Sequence, residues 1–267
     1  MTLKNALLAA VLSLLAFPVA AESLRLSVTT SFANSGLADV LLPVIKEDTG
    51  IDVQLLIVGT GQALALGAAG DVDAVLVHSR AAEDKWLAEG NGTHRREIMY
   101  NDFILVGPAA DPAGAKSAKT AVGALAAIAT AKAAFVSRGD DSGTHKKELS
   151  LWQAAGIAPQ GDWYRAVGQG MGAALNTAAG MNAYILADRA SWLNFGNKAD
   201  LVIDFQGDPA LFNQYAFLPV NPEKYPHVKA QAVARLEAWL TSDKAKGLIN
   251  NYRIGGETLF VFNAQPE

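Results

Sequence analysis

The chain has 267 residues, a formal net charge of −4 and no cysteine. That length allows one or two domains with ample core, and the missing cysteines exclude disulfides, thiolate metal sites, a cysteine nucleophile and a cysteine-linked lipid anchor. No basic face points to nucleic acid, so a small anion would have to be caught by local geometry and not by the field of the whole molecule.

Lys4 gives a positive start, Ala6 to Phe17 is apolar but too short to span a bilayer, and Val19-Ala20-Ala21 offers small residues for cleavage. Residues 1–21 therefore read as a signal peptide, and the mature protein is expected in the periplasm from Glu22 with no stable membrane anchor. Leu24 to Val28 alternates like a strand and runs into Thr29-Thr30-Ser31, with Phe32 to Gly36 as a turn. Leu37, Val40, Leu41, Val44 and Ile45 recur at helical spacing up to Thr49-Gly50. Ile51 to Val58 is a second strand, followed by Gly59-Thr60-Gly61-Gln62 and a helix from about Ala63 to Ala69. Ala74 to Val77 is a third, buried strand, and Glu83 to Glu89 a short helix. Strand and helix alternate, which implies an α/β fold of right-handed parallel units.

Tyr100 to Val106 reads as a strand crossing into a second lobe, with a small-residue helix from about Ala121 to Thr130 beyond it. Gln214 to Val220 reads as the return, and a helix from about His227 to Leu240 packs back on the first lobe. The expected lobes are 22–104 with 217–267, and 105–216. Two crossing strands make a hinge, and closure of such a hinge around a ligand is an established motion.

The second lobe is organised around Phe135-Val-Ser-Arg-Gly-Asp-Asp-Ser-Gly-Thr-His-Lys-Lys-Glu148. An apolar strand (Ala133 to Val136) leads into a polar loop, and Leu149, Trp152 and Ala155 then fall at helical spacing. Unpaired amides at a helix start attract anions. Arg138 adds a cation with a planar fork of donors, and Ser142 and Thr144 add hydroxyls. The same loop also reads as an ordinary helix cap with Arg138 paired to Asp140 or Asp141. Thr30, Ser31, Thr60 and Gly61 repeat the pattern of a strand, then hydroxyl or glycine residues, then a helix. In open α/β sheets such loops meet at the carboxyl ends of the strands.

Other features are weaker. Gly168-Gln-Gly-Met-Gly172 matches neither a dinucleotide nor a P-loop fingerprint and reads as a tight loop before a helix. His78, His94, His145 and His227 do not cluster at metal spacing, and each reads as structural or exposed. Ser142 and His145 do not sit in a nucleophile elbow. Asp188-Arg189 reads as an internal ion pair. The chain is expected to be neither an enzyme nor dependent on a cofactor.

In Thr29-Thr-Ser31, Val58-Gly-Thr-Gly-Gln-Ala63, Gly70-Asp-Val-Asp73, Met99-Tyr-Asn-Asp-Phe103, the Phe135 loop, Trp163-Tyr164, Gly168 to Gly172 and Asp188-Arg189, the chain resembles the tungstate-binding proteins of ABC importers. These belong to the type II periplasmic binding proteins. The resemblance covers nearly the whole mature chain. It implies two lobes, each a mostly parallel sheet flanked by helices, and a tungstate or molybdate oxyanion held by Thr30, Ser31, Thr60, Arg138, Ser142 and Thr144, with backbone donors near Gly61 and Gly143. It also implies an ABC permease as partner and a monomer. Phe32 departs from the small hydroxyl residue expected at its position. Phosphate stays open as a ligand if Asp140 or Asp141 faces the pocket to accept its proton. A two-lobed enzyme and a signalling receptor also stay open.

Overall fold

The computed structural model describes residues 22–265. The signal peptide expected over 1–21 lies outside the described residues.

The chain begins with β1 (Glu22–Thr29), a short helix α1 (Thr30–Asn34) and α2 (Leu37–Thr49). The turn expected over Phe32 to Gly36 is thus mostly helical, because the Thr29 side chain caps α1 by accepting the Phe32 N–H at 3.3 Å. Helix α2 buries Leu37, Leu41 and Ile45 on one face and stops at Gly50, whose φ of 71° is the left-handed end that glycine adopts without strain. Then come β2 (Ile51–Val58), α3 (Thr60–Ala69), β3 (Ala74–Val77) and α4 (Arg80–Ala88). Strand β1 pairs in parallel with β2 on one side and β3 on the other.

Strand β4 (Arg96–Pro108) joins the two halves of the molecule. Its first part pairs with β9 (Phe212–Pro219), which also pairs with β3. From Phe103 onward β4 pairs instead with β7 (Tyr184–Asp188) and β8 (Leu201–Phe205). Between these lie α5 (Ala121–Ala131), β5 (Phe135–Ser137), α6 (Gly143–Ala154), β6 (Tyr164–Ala166), α7 (Met171–Met181) and α8 (Arg189–Asn194). Strand β5 is parallel to both β6 and β7. The main order is β2-β1-β3-β9-β4-β7-β5-β6 in a single ten-stranded sheet. Beyond β9 come α9 (Ala230–Leu240), α10 (Asp243–Asn251), the β10–β11 hairpin (Arg253–Ile254 and Glu257–Thr258) and β12 (Val261–Phe262), which returns to pair with β4.

Separate cores fill the halves. Leu24, Leu26, Phe32, Leu41 and Tyr215 belong to one in the first half. In the second half, Phe135, Leu151, Trp152 and Tyr184 pack together, with the Phe135 and Trp152 rings edge to face at 5.2 Å. Gly107 on β4 sits where Tyr184 and Asp204 leave no room: a methyl there would overlap the Tyr184 ring and the Asp204 carboxylate. Gly107→Ala should destabilise the protein by about 3 kcal/mol, the upper end for one extra methyl in a packed core. A urea unfolding midpoint unchanged from wild type would contradict this packing.

Candidate functional site

The register of the first half brings three loop starts to one level. Val28 lies beside Ile57 and Leu76 in the ladder, so Thr30, Thr60 and His78 follow the ends of adjacent strands. Thr30 is exposed in the first turn of α1. The Ser31 Oγ has three polar neighbours: Thr29 Oγ1 at 3.0 Å, His78 Nε2 at 3.0 Å and the Tyr215 hydroxyl at 3.2 Å. A hydroxyl accepts two hydrogen bonds and donates one, so these three neighbours fill the Ser31 hydroxyl and a ligand would take the place of one of them. Gly59 caps α3 without a side chain, which leaves the amides of Thr60, Gly61 and Gln62 without intrahelical acceptors. Phe32 departs from a hydroxyl because its side chain is core: it is 4 % exposed and packs against the Tyr215 ring.

The second half supplies the loop between β5 and α6. Ser142 caps α6, its Oγ accepting the His145 N–H at 3.2 Å, and Gly143 and Thr144 begin the helix. The Arg138 guanidinium pairs with Asp140 through Nη2, while its buried Nε has no hydrogen-bond partner among the described residues. Asp140 Oδ1 also accepts the Ser142 N–H at 3.2 Å. Burial pushes the Asp140 carboxyl up, but Ser142 and Arg138 together outweigh it and hold it below the usual range. Asp141 is exposed and lies 3.4 Å from the Lys146 ammonium. Asp140 is thus engaged within its own loop, whereas Asp141 lies at the surface beside Lys146 of α6. Arg138 is correspondingly not a bare cation, as the sequence alone left open. The Gly168 loop packs behind: the Gln169 N–H donates to the Arg138 carbonyl at 3.2 Å, and helix α7 starts at Met171.

His78 joins the two halves. Its ring lies over the Tyr215 ring at 4.8 Å between centroids and reaches Gly143 at the start of α6. Burial, with a contribution from the nearby Lys147 ammonium, pushes its pKa from 6.5 down to about 4. Lys147 itself donates to the carbonyls of Ala210 and Phe212 and so ties α6 to the segment entering β9.

Arg189 does not pair with Asp188, as its position in the sequence suggests. Asp188 caps α8 through the Ser191 N–H, and Arg189 makes two hydrogen bonds to Asp102 on β4. Glu148 is also inward-facing but structural: it accepts from Tyr164 at 2.7 Å and Trp152 at 3.1 Å, and burial raises its pKa. Among the described residues no group of three or more His, Asp or Glu stands close enough to hold a metal, and no helix is long and apolar enough to cross a membrane.

Helix starts, hydroxyls and an arginine are the donor types that suit an anion with no proton to give. The family model described as a PBP superfamily domain matches residues 18–244. The chain belongs to the PBP superfamily. It is 49% identical to the tungstate-binding protein TupA of Peptoclostridium acidaminophilum over 91% of this chain and 86% of that one. The solved tungstate-binding protein TupA from Desulfovibrio alaskensis G20 superposes with a TM-score of 0.87 at 43% identity, covering 92% of this chain and 100% of that one. The solved tungstate ABC transporter protein from Geobacter sulfurreducens gives a TM-score of 0.77 at 50% identity, covering 86% of this chain and 99% of that one. The α/β architecture read from the sequence is the fold of this superfamily.

Thr29, His78 and Tyr215 were not singled out for this site by the sequence reading. His78 had a usable signal, since it follows β3 as Thr30 follows β1. Tyr215 had none, because it lies inside an apolar strand. An imidazole whose pKa is depressed on folding makes its contribution above the unfolded value and loses it as pH falls. The stability advantage of wild type over His78→Gln should therefore be full above pH 6.5 and shrink towards pH 4, by up to about 3 kcal/mol. Urea titrations of both proteins across that range check it; a constant difference would contradict a His78 held neutral by the fold.

Proposed function

We propose that this protein is an extracytoplasmic solute-binding protein that captures tungstate between two lobes and presents it to an ABC permease. Thr30, Ser31, Thr60, Ser142 and Thr144 supply hydroxyls, Gly61 and Gly143 supply amides, and Arg138 supplies the cation. The lobes are those expected at 22–104 with 217–267 and at 105–216, hinged about β4 and the segment entering β9. The chain acts as a periplasmic monomer after removal of residues 1–21 and performs no chemistry on its ligand.

The engagement of Asp140 within its loop, with Asp141 at the surface, carries this reading. Tungstate is a fully ionised dianion near neutral pH with four acceptor oxygens, so any free carboxylate in the site would repel it. Hydrogen phosphate carries a proton and gains from such an acceptor. Asp140 is held by Arg138 and Ser142, and Asp141 faces Lys146. Hydrogen bonds to a charged group contribute about 1.5–3 kcal/mol each. Six or so, after desolvation and closure costs, are enough to approach the roughly −12 kcal/mol of a nanomolar complex. Molybdate has the same charge and acceptor set and is the expected second ligand.

Calorimetric titration of ligand-stripped protein with tungstate, molybdate, sulfate and phosphate tests the assignment. Tight one-to-one binding of tungstate with negligible phosphate heat is expected, and tight phosphate binding without tungstate heat would overturn it. Arg138→Ala removes the cation and leaves Asp140 unpaired beside the anion. It should weaken tungstate binding by more than about tenfold; an unchanged isotherm would place the ligand elsewhere.

A further inference from the structure

Gly143 is the first residue of α6 in the second half of the molecule, and His78 follows β3 in the first. A Cβ at position 143 would lie 2.8 Å from His78 Cε1, 3.6 Å from Nδ1 and 3.8 Å from Nε2. The imidazole thus lies against the bare α-carbon. The backbone does not demand a glycine here. The φ of Gly143 is outside the left-handed region, and the first turn of a helix accepts any ordinary residue, with alanine favoured over glycine by propensity. The ring is what excludes a side chain.

The ring is also held where it is. Nε2 is bonded to Ser31 Oγ at 3.0 Å, and one face is covered by the fully buried Tyr215. The Asn213 side chain lies beside the ring and is itself fixed by donating to Asn101 at 2.8 Å. A methyl at 143 therefore meets a ring that cannot swing away, not the free end of a flexible chain. One imidazole thereby links a hydroxyl of the first half to the helix start of the second.

We propose that His78 against Gly143 is the contact that sets how far the two lobes close, and that it couples closure to the orientation of the Ser31 hydroxyl. The inference rests on the two-lobed oxyanion-binding reading above. His78 acts as a positioning residue, and it is the ring and not the ligand that keeps position 143 without a side chain: any Cβ at 143 props the cleft open while leaving the donors of each lobe unchanged.

A double-mutant cycle with sodium tungstate as the probe tests it, using calorimetry for affinity and small-angle scattering for compaction. Gly143→Ala should fold normally, weaken tungstate binding by about tenfold or more and remain wider than wild type at saturating tungstate. In a His78→Ala background the same change should cost nothing, to within about twofold, because the obstructing ring is gone. Wild-type affinity and compaction in Gly143→Ala would overturn the proposal. A full penalty persisting in the His78→Ala background would also overturn it, by placing the clash on the ligand or on α6 itself. A wild-type protein that takes up no tungstate would instead overturn the ligand reading, and this inference with it.

Discussion

An anion with four acceptor oxygens and no proton can leave water only if donors replace the whole of its hydration shell. A polypeptide offers unpaired donors in concentrated form at helix starts, where the first amides have no partner. The remaining features of this molecule follow from that constraint. Parallel strands place the starts of α1, α3 and α6 at strand ends, and the ladder register brings those of the first half to one level. Gly59 caps α3 without a side chain, so its amides stay free, whereas Thr29 and Ser142 cap α1 and α6 with hydroxyls.

Charge is handled with similar economy. The single arginine of the proposed site is already matched by Asp140, and that carboxylate also accepts from Ser142. The loop is therefore close to neutral, and a dianion would be met mainly by aligned dipoles with a partly shared guanidinium. The buried Arg138 Nε has no hydrogen-bond partner among the described residues, and in the proposed site it is the donor left for a ligand oxygen. In the first half, His78 has its pKa lowered by burial, so near neutral pH it orients Ser31 without adding a charge of its own.

Much of this was legible from the chain, for local reasons. Capping and helix starts are encoded within a few residues, so the position of Thr30, Ser31, Thr60, Ser142 and Thr144 at helix starts after strands was readable from the chain. The relation of Arg138 to Asp140 was legible only as an alternative, because two residues of separation allow either a pair or a free cation. What stayed hidden depends on residues distant in sequence. Tyr215 reads as one more apolar strand residue until β9 carries its hydroxyl to Ser31. Arg189 reads as a partner for its neighbour Asp188 until β4 presents Asp102. The demand for glycine at 143 comes from His78, which follows β3 and is distant in sequence. Helix α10 and the final strand β12 were also missed; α10 is short, and only Ala245 and Ile249 are buried along it.

The most direct measurement is the anomalous-difference map of crystals grown with tungstate, since tungsten marks its own position. A single strong peak is predicted within hydrogen-bonding reach of Arg138, of Ser31 and of the α3 and α6 helix starts, touching both halves of the molecule. A peak confined to one half, or lying away from Arg138 and Ser31, would contradict the account.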